Sequence, residues 1–145
     1  MRMRSRRSPA WLSTAFVVFA LVAGVLPSRA GTPSREVRAD LVARQSLALY
    51  RTGGLAALLI NSEQCHDAIS DKLYCIYMDI AAAQIDRGFT GVMGVNRHSY
   101  FDDPKFQKRT QPLLRAAGMG PKQAEAFLKA GNALIRQALA ENAGM

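Results

Sequence analysis

The sequence predicts an all-α fold, a small helical bundle of about five helices with one intrachain disulfide, and three observations carry that prediction. Apolar residues recur at helical spacing through most of the chain after residue 30. Capping residues, prolines and glycines mark where these runs open and close. No stretch alternates apolar and polar residues for long enough to compete as a strand.

The elements follow in chain order. Ser34 is placed as the N-cap of a first helix, in which Val37, Leu41, Leu47 and Tyr50 form an inward stripe and Gly53-Gly54 ends the run. A second helix is expected from about Leu55 toward Cys65, carrying Leu58, Leu59 and Ile60. Ser70 and Asp71 then cap a third, "KLYCIYMDIAAAQID", apolar on nearly all sides and so expected at the centre of the bundle until Gly88 closes it. A glycine-punctuated loop is expected from Gly88 to Asp103. Asp103 before Pro104 signals the next helix start, and Pro112 should kink that helix or begin another. The last helix follows Gly120, with Phe127, Leu128, Gly131 and Ile135 on its inner face.

Residues 1–30 have the pattern of an export signal. Arg2, Arg4, Arg6 and Arg7 precede a mostly apolar run over residues 14 to 26, and Ser28 and Ala30 stand at the minus-three and minus-one sites of a signal-peptidase cut. Cleavage after Ala30 would leave residues 31–145 as a single helical domain, located in the periplasm or outside the cell and with no membrane segment. It also changes the charge argument. The chain carries 19 basic and 11 acidic residues, a net +8. The signal holds five arginines and no acid, so the remainder is +3. The basic bias sits in residues 97–145, which hold eight basic against four acidic residues.

Export decides how the two cysteines are read. An oxidising compartment joins pairs that can meet, and the turn at Ser70-Asp71 lets Cys65, late in one helix, approach Cys75, early in the next. His66 is only the sequence neighbour of Cys65, and a metal site would need further ligands. No cofactor or metal is therefore implied. "RHSYFDD" places His98, Ser99 and Asp102 within one loop, whereas a hydrolase triad assembles from separate elements. Asp79 and Asp86 lie two turns apart on one helix, where solvated or capping roles are expected. No constellation supplies nucleophile, base and orienter together, and the chain reads as a binding protein rather than an enzyme.

Two binding surfaces are suggested. The loop from Gly88 to Asp103 contains Phe89, Met93, Arg97, His98, Tyr100 and Phe101, more aromatic and apolar than a plain connector, which marks these residues for a protein partner. The stretch "LLRAAGMGPKQAEAFLKA", residues 113 to 130, resembles the helix-hairpin-helix motif, with Gly118, Met119 and Gly120 at its turn and Ala124 at its small packing position. That resemblance implies DNA binding through the amides of Gly118 and Gly120, with Lys122 beside the phosphate. Separately, Cys65, Cys75 and Tyr77 give residues 61 to 80 a likeness to the exported helical immunity proteins that protect bacteria from cell-wall amidases injected by type VI secretion. This second resemblance implies an inhibitor that binds a secreted toxin or cell-wall enzyme, acting as a homodimer. An inhibitor or immunity-type protein is the leading expectation, and a periplasmic DNA-binding module the alternative.

Overall fold

The computed structural model describes residues 33–144, all of them after the expected signal cut, so the expected signal lies outside the described residues. Four α-helices are present among them: α1 (Arg35–Ala68), α2 (Lys72–Met93), α3 (Asp103–Ala116) and α4 (Pro121–Ala143), with a 3₁₀ turn at Ser99–Phe101 between α2 and α3. There is no strand among these residues, and the fold is all-α as expected. None of the described helices is long and apolar enough to cross a membrane.

The count is four rather than five because α1 is one element across a kink at Gly54, where the sequence places the end of one helix and the start of the next. Gly54 alone leaves helical geometry, at φ 62° and ψ −155°, and helical bonding resumes on either side. A side chain at that φ would be strained, which explains a glycine in mid-helix. The third expected helix is also longer than its sequence suggests. α2 runs through Gly88 and Gly91 to Met93 and stops at Gly94. Each internal glycine costs about 1 kcal/mol relative to alanine. Packing offsets that cost here: Thr90 is buried, and Phe89 meets Tyr50 edge-on, ring centroids 6.3 Å apart.

Caps fall where the sequence places them at two of the starts. The Ser34 hydroxyl accepts from the Val37 amide at 3.3 Å, and the Asp71 carboxylate accepts from the Tyr74 amide at 3.0 Å. At α3 the N-cap position falls on Asp102, whose side chain makes no capping bond. α3 then continues through Pro112.

α2 is the central helix, with every residue from Cys75 to Ala82 buried. α1 lies against both α2 and α4. The inner face of α1 is not the expected one: Arg38, Ala39, Val42, Ala43 and Ser46 are buried, while Val37 and Leu41 are 59% and 54% exposed. Small side chains at the buried positions let α1 approach its neighbours closely. The one long side chain among them, Arg38, is matched by an ion pair to Asp71 at 3.0 Å and lies 6.0 Å from the Tyr77 ring centroid. Across the core, Tyr77 packs edge-on against Phe127 at 5.5 Å, and Gly131 lets α4 approach α2. A Cβ there would sit 3.3 Å from Ile80 Cδ1.

Cys65 and Cys75 are joined, with Cα atoms 5.6 Å apart and both residues buried. The bridge closes a loop of ten residues' separation, which in the chain-entropy model is worth about 2 to 3 kcal/mol. Cys65→Ala with Cys75→Ala is expected to lower stability by about that much in urea titration. Reductant should lower the wild-type midpoint similarly and leave the double variant unchanged. A midpoint unaffected by both treatments would show the clasp to be open.

Candidate functional site

The polar centre of the molecule begins with two aspartates on α2. Asp79 and Asp86 are fully buried, not solvated as their sequence setting suggests. Buried carboxylates need partners, and each finds them in a different element. Asp79 Oδ2 accepts from His66 Nε2 on α1 at 3.0 Å, and from Nε and Nη2 of Arg109 on α3 at 3.3 and 3.1 Å. A carboxylate can only accept, so His66 Nε2 carries the proton. His66 thus has a structural position that its place beside Cys65 did not reveal.

Arg109 extends the cluster outward. Its Nη1 donates to the Tyr100 carbonyl at 2.9 Å, and its guanidinium carbon lies 3.6 Å from the Tyr100 ring centroid. Asp86 holds the same loop from its other end. Its Oδ2 accepts from the His98 amide at 3.2 Å and lies 3.7 Å from the Arg97 guanidinium, whose Nη2 in turn donates to the Phe101 carbonyl at 2.8 Å. His98 Nδ1 accepts from the Tyr100 amide. The loop from 95 to 102 is therefore tied to α2 at both aspartates, although it contains no regular hydrogen-bonded element beyond one 3₁₀ turn.

The expected partner-binding residues separate into two groups. Met93 is 59% exposed at the end of α2, between Val92 at 86% and Val95 at 53%. His98 is exposed too, with Arg97 and Tyr100 part-covered beside it. Phe101 is a correction: it is 1% exposed and packs with Leu58 and Ala82, so it belongs to the core and cannot meet a partner. Phe89 is half-buried against Tyr50 in α2 rather than on a loop. The surface that remains is an apolar tip, Val92, Met93 and Val95, beside the polar residues of a tethered loop.

The turn at residues 117–120 can be read in the same way. Gly118 has φ 78°, the left-handed position that glycine takes at a helix C-terminus. The Gly118 amide donates to the Arg115 carbonyl at 2.9 Å and the Met119 amide to the Leu114 carbonyl at 3.0 Å, the paired bonds of a Schellman cap. The Gly120 amide donates to Gln123 Oε1 at 2.9 Å. Lys122 is exposed. A phosphate at this turn would have to displace bonds that close one helix and open the next.

Chemically, the Asp79 cluster holds charge instead of presenting it. Ser62 lies one turn before His66 and is fully buried, but its hydroxyl has no partner among the described residues, so it is not linked to the His66-Asp79 pair. The Oδ1 atoms of Asp79 and Asp86 are also buried without a partner. No cluster of three or more metal-ligating side chains occurs among the described residues.

Burial pushes the Tyr100 phenol up to about 12, with the Asp79 carboxylate adding to the rise and the Arg109 guanidinium opposing it. The neutral phenol is favoured in the folded chain. The stability it contributes is complete below pH 10.0, the ordinary tyrosine value, and is lost as pH rises toward 12. Tyr100→Phe is expected to make the alkaline decline shallower, leaving the share from Tyr74 and Tyr77, which burial also raises. Urea midpoints from about pH 9 to about pH 11 check this. Parallel curves for the two chains would mean that the phenol is solvated in the folded state.

Comparison with protein-family models, with curated proteins and with solved structures finds no match to this chain.

Proposed function

We propose that this chain is an exported protein-binding module of the inhibitor or immunity type, which engages a secreted cell-wall enzyme through the tip at residues 92–100. The observation that carries the reading is the apolar tip itself: Val92, Met93 and Val95 are 86%, 59% and 53% exposed at the end of α2, next to a loop whose residues His98 and Tyr100 are held to two buried aspartates. Contiguous exposed apolar side chains mark interaction surfaces more often than singly scattered ones. A loop already fixed in place loses little conformational freedom on binding, so more of its contact energy becomes affinity. Arg97, His98 and Tyr100 supply polar and aromatic groups at the border of the tip, the composition of binding hot spots. The leader-like N-terminus and the Cys65–Cys75 bridge support export to an oxidising compartment, where such an enzyme would be met.

The test is inhibition of a secreted peptidoglycan amidase encoded beside this gene. The purified protein should bind it and suppress its activity at near-equimolar ratio. Val92→Asp with Val95→Asp should weaken binding by at least about 100-fold, with helicity and urea midpoint unchanged because both positions are exposed. Full inhibition by this variant would remove the tip from the interface, and failure of the wild type to bind or inhibit the enzyme would reject the inhibitor reading.

A further inference from the structure

α3 and α4 concentrate positive charge on their outer surfaces. Between Pro104 and Ala140 the sequence holds seven cations and one acid, Glu125. Two of the seven are committed within the fold: Arg109 binds Asp79, and Lys105 donates to the Ser99 hydroxyl. The other five, Lys108, Arg115, Lys122, Lys129 and Arg136, are all exposed and have no ion-pair partner among the described residues. They recur at every seventh position.

That spacing fixes where they point. Seven residues make nearly two turns of helix, so Lys108 and Arg115 share one face of α3, and Lys122, Lys129 and Arg136 share one face of α4, neighbours in each row standing about 10 Å apart along the axis. The α4 row lies opposite the buried Phe127 and Ala138, on the solvent side of that helix. Arg115 and Glu125 stand on the two sides of the groove between α3 and α4. Glu125 follows Lys122 by three residues and precedes Lys129 by four, so the two cation rows run on either side of that groove with one acid among them.

The chemistry of this surface selects among polyanions. An anionic membrane requires apolar anchors beside the cations, and none of the large exposed apolar side chains lies on α3 or α4. Single-stranded nucleic acid requires aromatic platforms for its bases, whereas the exposed residues between the cations of α4 include the small Ala126, Ala133 and Ala140. A duplex requires neither, because its backbones present one negative charge per about 1.7 Å of axis. The alanines also keep this face of α4 slim, which suits the major groove of B-form DNA, about 12 Å wide, better than the narrow major groove of an RNA duplex.

We propose that the cation rows of α3 and α4 form a sequence-independent binding surface for duplex DNA. Lys122, Lys129 and Arg136 neutralise phosphates along α4, and Lys108 and Arg115 reach the backbone on the α3 side. The contact is made by side chains on helix faces and not by the turn between the helices, where the Gly118, Met119 and Gly120 amides are already bonded. It does not rest on the role of the tip.

Fluorescence anisotropy with short labelled duplexes tests it. The purified chain should bind duplexes of unrelated sequence with equal affinity, and log affinity should fall against log salt with a slope of about −4.5 for five phosphate contacts. Lys122→Gln with Lys129→Gln and Arg136→Gln should weaken binding at least about tenfold and make that slope shallower by about 3, and Lys108→Gln with Arg115→Gln should make it shallower by about 2. Helicity should be unchanged in both, since all five positions are exposed. Arg87→Gln, at an exposed cation of α2 outside both rows, should leave the slope as it is. Absence of binding at about 50 mM salt would overturn the proposal. So would an Arg87→Gln effect as large as that of each row cation, which would reduce the attraction to overall charge. Tighter binding to phosphatidylglycerol vesicles, to single-stranded DNA or to an RNA duplex of the same length would overturn it as well.

Discussion

Asp79→Ala is expected to lower folding stability by about 3 to 5 kcal/mol, the range for removing one partner from a buried ion pair. The loss arises because His66 and Arg109, only 15% and 22% exposed, would face each other across an empty site with no anion between them. Replacing the whole set is expected to behave differently. His66→Leu with Asp79→Leu and Arg109→Met removes every charge at once, and apolar substitution of a complete buried cluster is often neutral or stabilising. The triple variant should therefore be more stable than Asp79→Ala, a coupling readable in urea midpoints as non-additivity of neighbouring sites. It should still lose the tether from Arg109 to the Tyr100 carbonyl. Hydrogen exchange of the Phe101 and Asp102 amides, which close the 3₁₀ turn onto His98 and Ser99, should accelerate in the triple variant despite its recovered stability. That combination would assign the buried charges to loop geometry rather than to net stability. If the triple variant is as unstable as Asp79→Ala and its loop exchanges at the wild-type rate, the cluster serves stability alone.

The elements that were legible in the sequence are those fixed by local chemistry. Ser34 and Asp71 cap their helices because short oxygen-bearing side chains reach free amides wherever a helix begins, whatever lies around it. The Cys65–Cys75 bridge was legible because ten residues with one turn leave little freedom in where the thiols meet. The central position of α2 followed from its being apolar on all sides. The misread elements are those decided by packing. Gly88 looks like a stop by propensity, yet α2 continues past it, whereas at Gly54 the backbone does leave the helix and α1 resumes beyond the kink. Periodicity points the large apolar residues Val37 and Leu41 of α1 inward, whereas close approach to two other helices selects the small ones. The polar cluster was hidden because His66, Asp79 and Arg109 come from three helices and are separated by up to 43 positions in sequence. One signal was available: two aspartates on one face of an otherwise apolar helix are either misplaced or paired, and burial of the helix forces the second answer.

Phe101→Ala is expected to cost about 3 to 5 kcal/mol, the usual loss when a buried phenylalanine is truncated. Phe101 is 1% exposed and fills the space between Leu58 on α1 and Ala82 on α2. Its ring also meets Tyr100 edge-on at 5.2 Å and His98 at 6.1 Å. It is thus the apolar counterpart of the two aspartates, anchoring the same loop through the core. Phe101→Leu retains most of the apolar volume and should cost less than half as much as the alanine change. Thermal or urea unfolding of the two variants gives the comparison. A functional difference should accompany it. If the tip binds a partner, Phe101→Ala should weaken binding even at temperatures where the chain is fully folded, since the loop would have to be ordered on contact. Phe101→Leu should bind nearly as wild type. Equal loss in both variants would mean that ordering of this loop does not set affinity, since Phe101 is 1% exposed and lies out of a partner's reach.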